Sequence, residues 1–177
     1  MKKSFSSDPL FFAELWVQEW IIKYNLCPFA KKSFQLLECS YHFITDCDEE
    51  IIQEDIFHFL DSKNHLNPNH YLLLLPKLKM SFPLFYDLSL AIQASKRLKK
   101  NWQIVAFHPK FQFGDAPKNS RLHYVNRSPF PILHVIPHPL VEKAAATLPY
   151  PEYVSEQNEK KLQKIPDAEW KKIKLFL

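Results

Sequence analysis

His108, Arg127 and His134 are the side chains whose types and setting point to chemistry. They fall in residues 104 to 138, a stretch that holds four of the eight histidines, two of the three arginines and the only glycine. An imidazole titrates near neutrality and can take or give a proton, so His108, directly after the apolar run that ends at Phe107, is a candidate general acid or base. The competing reading is a strand-end histidine bonding the loop backbone while Pro109 turns the chain away. His134 lies between Leu133 and Val135 in a second apolar run and takes the opposite face from both. It joins His108 if that face covers a site, and is a satisfied core histidine if it faces a helix. Arg127 is set apart by composition, because lysine supplies 20 of the 23 basic residues. A guanidinium offers a planar fork of donors that grips carboxylate or phosphate bidentately, which an ammonium cannot do. Asn126 and Ser128 add an amide and a hydroxyl beside it, and Pro129 and Pro131 stiffen the exit. The alternative for Arg127 is a structural one, bonding loop carbonyls to hold the loop in shape.

Other chemistries are excluded or disfavoured. One glycine cannot supply a Walker loop or a dinucleotide fingerprint. Cysteines at 27, 39 and 47, odd in number and without a Cys-x-x-Cys pair, argue against a disulfide framework and a structural zinc site. His134 and His138 would lie about 13 Å apart on an extended strand, too far to share an ion, so no metal site is expected. Cys27 is expected at the carboxyl end of a helix, where the dipole opposes a thiolate, and Cys47 stands between Asp46 and Asp48. Ser128 lacks a nucleophile-elbow setting and reads as a donor. The net charge of +4 comes from scattered lysines rather than an arginine-rich stripe, which speaks against a nucleic-acid partner.

The elements that must position these residues follow from periodicity and capping. Asp8-Pro9 opens a helix over about 9–26. Tyr41 to Thr45 reads as a strand, and Asp46 to Asp48 cap a helix with Ile52, Ile56, Phe59 and Leu60 on one face. Tyr71 to Leu75 is a strand buried on both faces. A third helix begins near Ser81 to Pro83, with Leu84, Leu88, Ala91, Ile92 and Leu98 at helical spacing. Trp102 to Phe107 and Ile132 to Ile136 are strands separated by a long loop at about 108–131, and helices at about 139–148, 151–164 and 167–176 close the chain. The expectation is a single α/β domain over residues 1–177, with a central mixed, mostly parallel sheet of about four strands flanked by five to six helices. The fourth strand arrives after so long a connection that it can pair in either direction. Ligands of open α/β sheets bind beyond the carboxyl ends of the strands, which is where His108 falls. Acidic residues and Pro9 break the start as a signal segment, and no run is long and apolar enough to span a membrane, so a soluble, cytoplasmic protein is expected.

Three motifs carry a resemblance. Asn25-Leu26-Cys27-Pro28-Phe29-Ala30, then Phe107-His108-Pro109 with Gln112-Phe113, then Asn126-Arg127-Ser128-Pro129-Phe130-Pro131 with Leu133-His134, resemble in order and spacing the bacterial family designated domain of unknown function 1415. The resemblance runs over about residues 10–165. It implies that Cys27, His108, Gln112, Asn126, Arg127, Ser128 and His134 belong to a shared pattern, but it implies no activity and no cofactor. Members usually continue after the Leu-His pair with two apolar residues and then Arg-Glu, where this chain has Pro137 and His138. If that arginine bound an anion, the contact is lost or replaced here.

Two functions remain open at this stage. One is an enzyme acting on a small carboxylate or phosphate metabolite, with His108 or His134 moving a proton and Arg127, Asn126, Ser128, Gln112 and Cys27 lining the substrate. The other is a non-catalytic binding or regulatory module in which the same polar cluster organises the loop.

Overall fold

A computed structural model describes residues 8–63, 66, 69–150 and 152–177; the first residues, where the start of a signal segment was weighed, lie outside this range. Helix α1 (Pro9–Trp16) starts as its sequence requires. The Asp8 carboxylate accepts the Leu10 N–H at 2.9 Å, and Pro9 fills the first position, where no N–H is needed. The chain then widens into a π-helical turn, Val17–Ile22, instead of continuing as one α-helix to residue 26. That turn accommodates one extra residue; Trp16 precedes it and Trp20 lies within it. Their indole N–H groups donate to the Arg127 and Tyr124 carbonyls, each at 2.9 Å, which fastens the long loop to the first helix. Asn25 (φ 51°) ends the segment, and α2 (Ala30–Gln35) follows.

Strand β1 (Cys39–Phe43) begins two residues earlier than its apolar run suggests, because Cys39 and Ser40 find partners in His70 and Tyr71. Helix α3 (Glu49–Asp61) is capped by Asp48, which accepts from the Glu50 and Ile51 amides, and it buries Ile52, Ile56, Phe57 and Leu60. All five residues of β2 (His70–Leu74) are buried. Helix α4 (Phe82–Ala94) turns Phe85, Leu88 and Ile92 inward. Leu84, expected on that face, points out and is 56% exposed. Strand β3 (Trp102–Phe107), a 3₁₀ turn over Arg121–Asn126, β4 (Ile132–Pro137) and helices α5 (His138–Ala145), α6 (Tyr153–Gln163) and α7 (Asp167–Phe176) complete the order.

The strands are arranged β1-β2-β4-β3, with β1 parallel to β2 and β4 antiparallel to both its neighbours. The sheet is therefore mixed but mostly antiparallel, which corrects the expected parallel majority. The helical crossovers do give β1, β2 and β3 a common direction. The long loop returns at the end where β3 finishes, so β4 runs back between β2 and β3, with Ile132 opposite both Phe107 and Leu74. Alternation along the strands makes two cores. Leu73, Leu133, Val135, Trp102 and Ala106 pack with α3 and α4 on one face. Leu72, Leu74 and Ile132 pack with Trp16, Trp20, Leu162 and Trp170 on the other. Among the described residues no helix is long and apolar enough to cross a membrane.

Candidate functional site

The two histidines singled out by sequence lie on opposite faces of the sheet. His108 is 4% exposed and rests against Phe82 and Phe85 of α4. Its Nδ1 accepts the Lys110 N–H at 3.0 Å, so the proton sits on Nε2, which donates to the Met80 carbonyl at 3.1 Å. Burial, and then Lys110, push its pKa down, while the Met80 bond opposes the shift. With both nitrogens engaged by backbone, His108 ties the loop to the start of α4. His123 does similar work within the loop, accepting the Phe113 N–H and donating to the Pro117 carbonyl.

The Asn126-Arg127-Ser128 run divides between loop-building and availability. Ser128 is fully buried and its hydroxyl donates to the Phe130 carbonyl at 2.6 Å. Asn126 gives its amide N–H to the Ala106 carbonyl at 3.3 Å and its own carbonyl to the His108 N–H at 3.1 Å. Arg127 stacks on Tyr124, its guanidinium carbon 3.9 Å from the ring centroid, and donates Nε to the Phe111 carbonyl over a long 3.4 Å. Its two terminal nitrogens have no partner among the described residues. Gln112 is exposed at the junction of two clefts, one also lined by His108 and the other by Asn126.

Cys27 lies between two helices rather than at the last turn of one. Burial raises its thiol's pKa, outweighing the Phe29 and Ala30 backbone and Lys161, which favour the thiolate. Asn158 and Lys161 of α6 hold this turn by donating to the Leu26 and Asn25 carbonyls. Cys27 is thus apart from both His108 and His134 in bonding, and all three cysteines are free thiols.

His134 belongs to a different cluster, which the sequence reading missed. Its Nε2 lies 2.7 Å from Nδ1 of His70, and Nε2 of His70 is hydrogen-bonded to the Ser33 hydroxyl. Three side chains separated by 37 and 64 positions in sequence thus form one continuous chain. The sheet explains the meeting. Leu72 pairs with His134, so His70, two residues earlier on the same face of β2, is its diagonal neighbour. Ser33 reaches down from α2, and only strand register could have revealed the trio. Both imidazoles are held neutral. Burial pushes His70 down to about 4, and burial together with His70 pushes His134 down to about 3. Nδ1 of His134 has no partner among the described residues, and the residue is partly exposed. Tyr41, on the same face two residues from Cys39, is the buried hydroxyl without a partner. Cys39 is pushed up to about 12 by burial. Among the described residues no group of three or more histidine, cysteine or acidic side chains could hold a metal ion.

The arrangement places an imidazole nitrogen without a partner among the described residues, backed by a buried imidazole and hydroxyl, on the same side as the indole of Trp16. That indole packs on Phe107, the neighbour of His134, and its N–H holds the Arg127 carbonyl. No curated protein and no solved structure matches the chain. The sequence profile of the family described as protein of unknown function (DUF1415) matches residues 12–172, and the chain belongs to that family.

Proposed function

We propose that the protein is a soluble, cytoplasmic bacterial enzyme acting on a small anionic metabolite, with His134 as its proton-transfer group and Arg127 as the side chain that holds a carboxylate or phosphate. The observation that carries this reading is the Ser33–His70–His134 chain. Buried polar side chains cost stability unless fully paired, and such networks fix one geometry. Here the geometry fixed is that of one nitrogen, Nδ1 of His134, left without a partner among the described residues. When His134 donates Nε2–H to His70, and His70 donates Nε2–H to Ser33, that nitrogen carries a lone pair and acts as a neutral base. Its basicity is low in the free protein. An anion beside it would raise the pKa towards neutrality, so substrate binding itself would arm the base. The terminal nitrogens of Arg127 are free to provide the anion contact. The three free thiols suit a reducing compartment.

A second reading is a non-catalytic binding module. It is supported by the backbone bonds of His108, Asn126 and Ser128, which engage these side chains within the loop. One experiment separates the two. Wild type, Arg127→Lys and His134→Asn are screened by thermal shift against carboxylated and phosphorylated metabolites, and each stabilising anion is then tested for turnover. The enzyme reading expects an anion that stabilises wild type and His134→Asn but not Arg127→Lys, and that only wild type converts. An anion bound equally by all three proteins and converted by none supports the binding module and removes the enzyme.

A further inference from the structure

Strand β3 is an edge strand, and its outward backbone groups form three like docks, two of them filled from within the chain. His138 donates its N–H to the Asn101 carbonyl, so odd-numbered residues of β3 face β4 and the even-numbered ones turn their N–H and C=O groups outward. In order along the edge these are the Trp102 carbonyl, the Ile104 N–H, the Ile104 carbonyl, the Ala106 N–H, the Ala106 carbonyl and the His108 N–H. The first pair is filled by the side-chain amide of Gln93 from α4, which donates to Trp102 at 2.9 Å and accepts from Ile104 at 2.5 Å. The third pair is filled by Asn126, through its side-chain N–H to Ala106 and its main-chain carbonyl from His108. The middle pair, the Ile104 carbonyl and the Ala106 N–H, has no partner among the described residues, although Ala106 is only 6% exposed.

This pair opens into a cleft of about 480 Å³, lined by Tyr86, Leu90, Phe111, Phe113 and Gly114 and closed at either end by Gln93 and Asn126. Tyr86 and Leu90 are 40% and 49% exposed there. Each filled dock shows what fits: one donor N–H beside one acceptor carbonyl. We infer that the middle dock binds a small ligand carrying one residue between two amides, flanked by apolar groups, whose residue N–H donates to Ile104 and whose residue carbonyl accepts from Ala106. One ligand residue placed parallel to β3, opposite Val105, makes both bonds. Gln93 and Asn126 already occupy the pairs on either side, so the site takes one residue and not a whole strand. This site is independent of the Ser33–His70–His134 chain and stands or falls separately from it.

The test is nuclear magnetic resonance of the ¹⁵N-labelled full chain titrated with N-acetyl-leucine N-methylamide, read at the Ala106 amide. The expected result is a downfield shift of that amide and exchange slowed about tenfold, the factor for a site nine-tenths occupied. The same probe methylated on the leucine nitrogen should bind at least tenfold more weakly, because it cannot donate to Ile104. An Ala106 amide unmoved by the probe means that the dock holds only water and overturns the inference, as does equal binding of the methylated probe. A blocked tripeptide binding far more tightly than the single residue would also overturn it, since the flanking amides would then have to yield. Both controls sit on the ligand side, so neither depends on a variant folding.

Discussion

Lowering the pH from 7 to 5 should weaken this protein through His70, and replacing that residue should remove the effect. The unfolded imidazole takes up its proton near 6.5, whereas the folded one resists until about 4, because protonation would place a charge in the core between Ser33 and His134. Its folded pKa is the lower one, so protons bind preferentially to the unfolded chain. The contribution is complete above about pH 6.5 and is lost as the pH falls towards 4. Linkage between these two values gives a loss of about 2 kcal/mol at pH 5 relative to pH 7. For a chain of this length that is roughly a 4–8 °C fall in Tm. Urea unfolding at pH 7, 6 and 5 measures it directly, and most carboxylates remain ionised throughout that window. His108 and His134 are also held neutral by burial and add to the wild-type slope, so the deciding quantity is the difference from His70→Gln. The variant should be weaker at pH 7 but should lose about 2 kcal/mol less on acidification. Equal slopes in the two proteins would refute the placement of a neutral imidazole at this position.

Three further outcomes are expected. Ser128→Ala should cost about 1 kcal/mol in urea unfolding, since it removes the donor of the part-buried bond from the fully buried Ser128 to the Phe130 carbonyl. Gly114→Ala should stabilise by about 0.4–1 kcal/mol by thermal or chemical unfolding, because Gly114 is not at positive φ and an added Cβ meets nothing within 4 Å. A thiol-specific disulfide reagent should titrate Cys47 rapidly in the native protein and reach Cys27 and Cys39 only on unfolding, which a count of released chromophore in buffer and in denaturant would show.

Local signals in the sequence were sufficient where one residue decides. Asp8 with Pro9, and Asp48, open their helices as read, and the uninterrupted leucines of β2 lie in the middle of the sheet. The signals failed where the outcome depended on partners distant in sequence. Nothing in residues 9–26 marks the extra residue of the π turn, because two tryptophans four apart fit an α-helix equally well until the loop carbonyls they serve are known. Leu84 and Phe85 are both apolar, and only packing decides which of them faces in. The alternation rule put His134 on the face opposite Leu133, but whether His108 shares that face depends on how the chain leaves β3. His70 stands at the edge of a masking apolar run, and its importance appears only when register sets it diagonal to His134. Arg127 stands out in the sequence because its rarity is a compositional fact. The roles of Asn126 and Ser128 turned on which carbonyls lay nearby.

The antiparallel wedge of β4 between β2 and β3 has a consequence for how the chain is made. Strand β3 touches the sheet only through β4, and β4 is synthesised after it. A growing chain that has just delivered Phe107 can already join β1 to β2 with α3 packed across them. It then carries an apolar ribbon, Trp102 to Phe107, with no strand on either side. Closure must wait for the 24 residues between β3 and β4 and for β4 itself, so the last pairing steps join segments far apart in sequence and are slow. During that interval Gln93, whose helix is already complete, is the local device that can occupy one stretch of the waiting edge, and it does so without help from any later residue. The amide that closes one dock in the finished protein is thus also a guard against wrong partners while the sheet is still open.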